Sequence, residues 1–198
     1  TDSDCSDKSP VPSNEQKFRK KKGVSPTSVK NLNEKSDSTY IDSYSHYGIH
    51  HEMLSDIPRT IAYRDAMLNN SDCFQGKTVL DIGCGTGILS MFAAKAGASL
   101  VVGVDQSDIV YQAMEIVTLN GLDSTVKIVK GKLENIDWQA RGLPSKFDFI
   151  ISEWMGYFLL FEGMLDTVLF ARDRFLNPSG KLLPNSSRMY LAAFDDPD

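Results

Sequence analysis

The chain has 198 residues, 41% of them hydrophobic, and a formal net charge of −5. That length supports one well-cored domain plus a tail and is short for two large domains; no apolar run approaches the ~20 residues of a membrane-spanning helix, and no secretory signal is visible. The charge is uneven: residues 1–38 hold eight Lys or Arg against six Asp or Glu, and the rest hold thirteen against twenty, an acidic balance that suits a basic protein partner better than a phosphate backbone.

Residues 1–38 are rich in Ser, Asp, Asn and Lys and poor in large apolar side chains. Such a segment cannot bury enough surface to offset its ordering entropy, so a flexible, disordered leader is expected. Within it, Arg19, Lys20, Lys21 and Lys22 read either as a solvated charge run or as a nuclear-import signal or nucleic-acid contact. Residues 39–75 are expected to form a helical lid. It opens on the aromatic and imidazole-rich run Tyr40, Tyr44, His46, Tyr47, His50, His51, after which Pro58 starts a helix reaching residue 69. Cys5, Cys73 and Cys84 contain no CxxC pair, which speaks against a disulfide framework or a zinc ribbon and for a reducing, cytoplasmic compartment, with the nucleus as a second location.

From residue 76 the pattern changes. Short unalternated Val/Ile/Leu runs at 78–82, 100–104, 126–129 and 147–152 read as strands, and 88–96, 107–120 and 164–176 as helices. Gly97 stops the first of these helices, and the last ends before Pro178, Ser179 and Gly180. Apolar strands separated by helices indicate an α/β fold: a doubly wound, mostly parallel, Rossmann-like sheet spanning 76–184, preceded by the N-terminal helices.

Val79-Leu80-Asp81-Ile82-Gly83-Cys84-Gly85-Thr86-Gly87 carries a strand straight into a glycine-rich turn, where the missing side chains let a nucleotide-like ligand approach the backbone. The spacing lacks the glycine that a dinucleotide turn needs at position 88, which is Ile88. Asp81, ahead of the first glycine, suits a cationic or zwitterionic ligand better than a phosphate. Asp105 closes the second strand, where an acid can accept both hydroxyls of a ribose; an acid ahead of Gln106 and Ser107 also serves as a helix N-terminal residue. Gly76-Lys77-Thr78 resembles the end of a phosphate loop, but the residue five before it is Ser71 and a strand follows it.

Glu153 and Glu162 bracket the run Trp154-Met155-Gly156-Tyr157-Phe158-Leu159-Leu160-Phe161. On one helix, nine steps of ~100° would put the two acids on opposite faces, so a shared site requires the segment to fold back as a loop. Two carboxylates in an aromatic-walled pocket call for a cation between them, and a planar guanidinium with its fork of donors fits. The plainer reading is an amphipathic segment whose glutamates reach solvent. All three histidines lie between positions 46 and 51 and no HExxH occurs, so no metal site is expected.

Together these segments resemble the protein arginine N-methyltransferases, class I S-adenosylmethionine-dependent enzymes, and within them the type I branch. The resemblance runs from about Tyr40 to Phe194. It rests on Tyr40 and Tyr44, on Gly48-Ile49-His50-His51-Glu52-Met53-Leu54, on Arg59-Thr60, on the glycine turn and on the paired glutamates. It implies methyl transfer from S-adenosylmethionine to the guanidinium of arginine-rich or Arg-Gly-rich proteins, histones or ribosomal proteins among them. The products would be monomethyl and asymmetric dimethyl arginine, with release of S-adenosylhomocysteine. In that scheme Arg59 pairs with the methionine carboxylate of the cofactor, Asp81, Gly83 and Gly85 line its methionine and ribose, and Asp105 takes the ribose hydroxyls with Ser107 beside it. Leu133 and Glu134 meet adenine, His50 and Met53 lie over the cofactor, and Tyr40, Tyr44 and Met155 frame the entering arginine. Glu153 and Glu162 are the catalytic pair.

The resemblance also implies a homodimer for the parent protein; the apolar pattern and the acidic balance lead to the expectation of no membrane and no direct nucleic-acid contact. The family's domain continues into a β-barrel carrying a Thr-His-Trp loop, so residues 185–198 are expected to begin that barrel and the chain to be a fragment lacking most of it. Two alternatives stay open. One is a methyltransferase acting on another amine such as a nucleic-acid base, which the absence of an Asn/Asp-Pro-Pro-Tyr motif after the fourth strand disfavours. The other is a non-catalytic cofactor-binding domain.

Overall fold

A computed structural model describes residues 44–160 and 163–194. The expected leader, Tyr40 and Glu162 lie outside the described residues. Two helices come first, α1 (Tyr47–Ser55) and α2 (Ile57–Leu68), then a single turn, α3 (Ser71–Phe74). Asp56 caps α2, its carboxylate accepting from the Arg59 amide, and Pro58 occupies the first turn, where no amide donor is required. Strands and helices then alternate: β1 (Thr78–Ile82), α4 (Ile88–Lys95), β2 (Leu100–Asp105), α5 (Ile109–Leu119), β3 (Val126–Lys130), a 3-10 turn (Leu133–Asn135), β4 (Phe147–Ser152), α6 (Leu165–Phe175) and β5 (Leu176–Leu183).

The strands form one sheet in the order β3-β2-β1-β4-β5, and every neighbouring pair is parallel. Strand alternation sorts the side chains into two cores. Val79, Val101 and Ile151 pack with Met67 of α2, Phe74 of α3 and Leu89 of α4. Leu80, Val102 and Ile150 pack with Val168, Ala171 and Phe175 of α6 and with Trp138. β1, β2 and β4 are therefore covered on both faces, which explains why they read as continuous apolar runs.

Three details differ from the sequence reading. The last helix does end before Pro178, but Pro178 and Gly180 then lie inside a strand that was not expected, β5, an edge strand of the described sheet whose register shifts between Phe147 and Phe149. An edge tolerates proline because no inward partner needs its missing amide. Helix α5 begins at Ile109, because the Ser107 amide and hydroxyl turn back onto Asp105. Residues 185–194 form no strand, and Tyr190, Leu191 and Phe194 are exposed. No helix among the described residues is long and apolar enough to cross a membrane.

At Gly103 of β2, Ser90 of α4 packs close against the sheet. A Cβ there would stand 2.8 Å from Ser90 Oγ and 2.9 Å from Ile128 Cδ1. Gly103→Ala is expected to cost about 1–3 kcal/mol through overpacking, read as a lower urea midpoint at unchanged slope.

Candidate active site

At the carboxyl ends of β1, β2 and β4 the sheet opens into a cleft of about 630 Å³, with residues of α1 and α2 forming its opposite wall. This is where parallel α/β sheets bind ligands, because the connections diverge there. The glycine turn forms its floor. Gly83 and Gly85 take φ of 68° and 53°, a left-handed conformation that side-chain-bearing residues rarely adopt. A Cβ at Gly83 would lie 2.7 Å from Met164 Cε, and one at Gly85 3.1 Å from the His50 ring.

The turn is tied to β2. The amides of Gly83 and Cys84 both donate to the Val104 carbonyl, at 2.8 and 3.1 Å, and the Gly85 amide donates to Asp105 Oδ2 at 3.0 Å. Asp105 Oδ1 accepts from the Ser107 amide and hydroxyl at 2.9 and 2.8 Å. The carboxylate is thus fixed on three sides while its oxygens keep acceptor capacity, and Asp105 lines the cleft. Farther along, Leu133 is buried in the core yet reaches the cleft, and Glu134 beside it accepts from the Thr167 hydroxyl at 3.2 Å.

On the helical wall, His50 is buried and its Nε2 lies 2.8 Å from the Tyr44 carbonyl. A carbonyl only accepts, so Nε2 carries the hydrogen and Nδ1 is left on the side of Gly85. The Tyr44 ring meets His50 edge-on at 6.2 Å. The Met53 carbonyl accepts from Arg59 Nη1 at 3.3 Å, and Arg59 Nη2 forms an ion pair with Glu153 Oε2. The resemblance assigns these two residues to different ligands. In this structure they hold each other: the Arg59 guanidinium occupies Glu153, and the Glu153 carboxylate occupies Arg59.

After Glu153 the chain folds back. Trp154 is buried in the core, Met155 lines the cleft, and Gly156 and Leu159 close an antiparallel bridge. Phe158 and Leu159 hold φ of 48° and 65°. For residues with a Cβ this costs on the order of 1–3 kcal/mol each, and such strain concentrates at functional sites.

One expected cofactor contact is misplaced. Asp81 is fully buried and does not line the cleft; its Oδ2 accepts from Ser90 Oγ of α4 at 2.6 Å. Strand alternation is the cause: Asp81 follows Val79 onto the α4 face, whereas the cleft begins at Ile82 and Gly83. Burial pushes the Asp81 carboxyl up to about 7, against the hydrogen bonds from Ser90. The folded state therefore holds a proton that the unfolded chain gives up near pH ~4. This stabilisation is full below that pH and is lost as pH rises through about 7. Asp81→Asn does not titrate, so relative to the wild type it is expected to be more stable at pH 8 than at pH 5, as read by urea midpoints.

The structure also adds cleft residues that the spacing arguments passed over: Tyr63, Met164 and Thr167. Tyr63 lies one helical turn beyond Arg59, a signal that was present in the sequence. Among the described residues no group of three or more His, Cys, Asp or Glu is arranged to hold a metal ion.

A parallel sheet with an acid-tethered glycine turn opening onto a ligand cleft defines a Rossmann-like domain. Residues 66–159 match the family model of the ribosomal protein L11 methyltransferase (PrmA). Protein arginine N-methyltransferase 1 of Dictyostelium discoideum is 54% identical over 172 residues, which cover 86% of this chain and 49% of that protein. Its namesake in Schizosaccharomyces pombe is 56% identical over 160 residues, covering 80% and 46%. A Trypanosoma brucei PRMT1 enzyme–prozyme heterotetrameric complex, solved with AdoHcy, superposes with a TM-score of 0.67 at 60% identity, covering 71% of this chain and 43% of that one. The chain belongs to the protein arginine N-methyltransferase family. It spans about half the length of the curated relatives it matches.

Proposed function

We propose that this chain is the cofactor-binding half of an enzyme that transfers a methyl group from S-adenosylmethionine to the guanidinium of arginine in protein substrates. One observation carries the reading: beside the glycine turn, Glu153 already holds a guanidinium, that of Arg59. The cleft fits the cofactor on its own chemistry. Gly83 and Gly85 leave a bare backbone cradle, Asp105 offers fixed acceptors suited to a ribose diol, Glu134 offers an acceptor suited to an exocyclic amine, and Arg59 offers a donor fork suited to a carboxylate.

Bound there, S-adenosylmethionine supplies an electrophilic methyl on a sulfonium. The chain's own residues must bring a poor nucleophile to it. Arginine stays protonated, its pKa exceeding ~12, and its charge is spread over three nitrogens. Glu153 accepts hydrogen bonds from the guanidinium and draws the charge toward the nitrogens it touches, which leaves the lone pair of the remaining nitrogen available for attack; Glu162 is assigned the same task. Most of the acceleration then comes from positioning and fixed electrostatics. Arg-Gly-rich segments are the substrates of this reading, with asymmetric dimethylation as its final product. The cytoplasm, with the nucleus, is the compartment it places them in. Assembly of the whole protein into an oligomer is supported by the heterotetramer of the Trypanosoma relative.

Calorimetric titration with S-adenosylhomocysteine, with NAD as the comparison ligand, tests the cofactor. Saturable binding of the first alone is expected, and binding of NAD instead overturns the reading. Mass spectrometry of an Arg-Gly-rich peptide incubated with the chain and S-adenosylmethionine tests the transfer.

A further inference from the structure

The β1–β4 ladder ends at the pair Ile82 and Ser152. Ser152 is held there twice. Its hydroxyl donates to the Ile82 carbonyl at 2.9 Å, and its carbonyl accepts from the Tyr63 hydroxyl at 3.1 Å. The next residue is Glu153. Arg59 and Tyr63 are four positions apart on α2 and so share a face. One holds the Glu153 carboxylate, and the other holds the carbonyl from which Glu153 departs.

We propose that Tyr63 is a positioning residue for Glu153, fixing the backbone so that the carboxylate stays at guanidinium distance when Arg59 is engaged by a ligand. The inference rests on the reading of Glu153 as the arginine-binding carboxylate. An incoming anion competes with Glu153 for Arg59, whereas the tether on the Ser152 carbonyl, donated by the Tyr63 hydroxyl, does not involve the Arg59 guanidinium. Burial, with the Glu153 carboxylate nearby, pushes the Tyr63 phenol well above its ordinary range, so the donor persists at every working pH. A carbonyl cannot donate, which fixes the direction of the bond. Without it, a small rotation at Ser152 swings the whole Glu153 side chain, and displacements of about 1 Å at a reacting group are costly.

Tyr63→Phe removes one oxygen and keeps the ring packed beside the α2–α4 core. The test reads affinities by calorimetry for S-adenosylhomocysteine and, with that ligand saturating, for an Arg-Gly-rich peptide. Four chains are compared: wild type, Y63F, E153Q and the double variant. S-adenosylhomocysteine affinity is expected to change less than about twofold in Y63F, which also shows that the variant is folded, while peptide affinity falls about tenfold. With Gln already at 153, Y63F is expected to add nothing, because the two act as one unit. Equal peptide affinity in wild type and Y63F overturns the proposal. A full Y63F loss that persists beside E153Q does the same, as does loss of S-adenosylhomocysteine binding in Y63F, since Tyr63 would then support the cleft at large. A wild-type chain that binds S-adenosylhomocysteine and no peptide overturns the arginine reading itself, a separate and recognisable failure.

Discussion

Glu153→Gln is expected to lower methyl transfer to an arginine peptide by about 10³-fold while leaving S-adenosylhomocysteine affinity within about threefold of wild type. The substitution is nearly isosteric. The amide oxygen still accepts from Arg59, so the wall of the cleft keeps its shape. What disappears is the negative charge that localises the positive charge of a bound guanidinium, and removing one fixed electrostatic partner of a developing charge costs ~10²–10³ in rate. The upper end is expected because the charge is lost and one amide hydrogen now faces the guanidinium's donors. Transfer is followed by mass spectrometry of the peptide, binding by calorimetry. If cofactor affinity fell with the rate, Glu153 would be a structural partner of Arg59 and would lose its catalytic assignment.

Asp105→Ala should act on the opposite half of the site, weakening S-adenosylhomocysteine binding by about 100-fold. Two losses combine. The acceptors offered to the ribose hydroxyls vanish, and a charge-assisted hydrogen bond is worth ~1.5–3 kcal/mol. The Gly85 amide and the Ser107 amide and hydroxyl also lose their common acceptor, so the turn is no longer tethered to the end of β2. Ser107→Ala removes one donor and leaves the acid, and a much smaller change of a few-fold is expected. Calorimetry on both variants separates a ribose acceptor from a purely structural acid: only the former makes Asp105 far more costly to remove than Ser107.

Legibility in the sequence followed burial and periodicity. β1, β2 and β4 are covered on both faces and declared themselves as apolar runs. The glycine turn and Asp105 were readable because their chemistry depends on residue type at fixed short spacing. The fold-back after Glu153 was inferred from nine-residue geometry, and Gly156 and Leu159 close it. β5 was not readable, because its strand character comes from pairing with β4 and from Asn177 donating to Asp148 at 3.0 Å; its own residues suggest a turn. Asp81 was placed at the cleft because sequence proximity to glycine was taken for spatial proximity, and a period of two decided otherwise. The Arg59–Glu153 pair joins residues 94 positions apart, a separation that no local pattern encodes.

The tethering of the glycine turn has a thermodynamic consequence. With Gly83, Cys84 and Gly85 already bonded to Val104 and Asp105, that wall is preorganised, and a ligand reaching it forfeits little backbone entropy there. Chemical changes to the part of a ligand that rests on it should therefore translate into affinity without a further ordering cost in the turn. Inhibitors for this cleft would then be better optimised from the nucleoside end than from the end facing Arg59, where an internal ion pair must first give way.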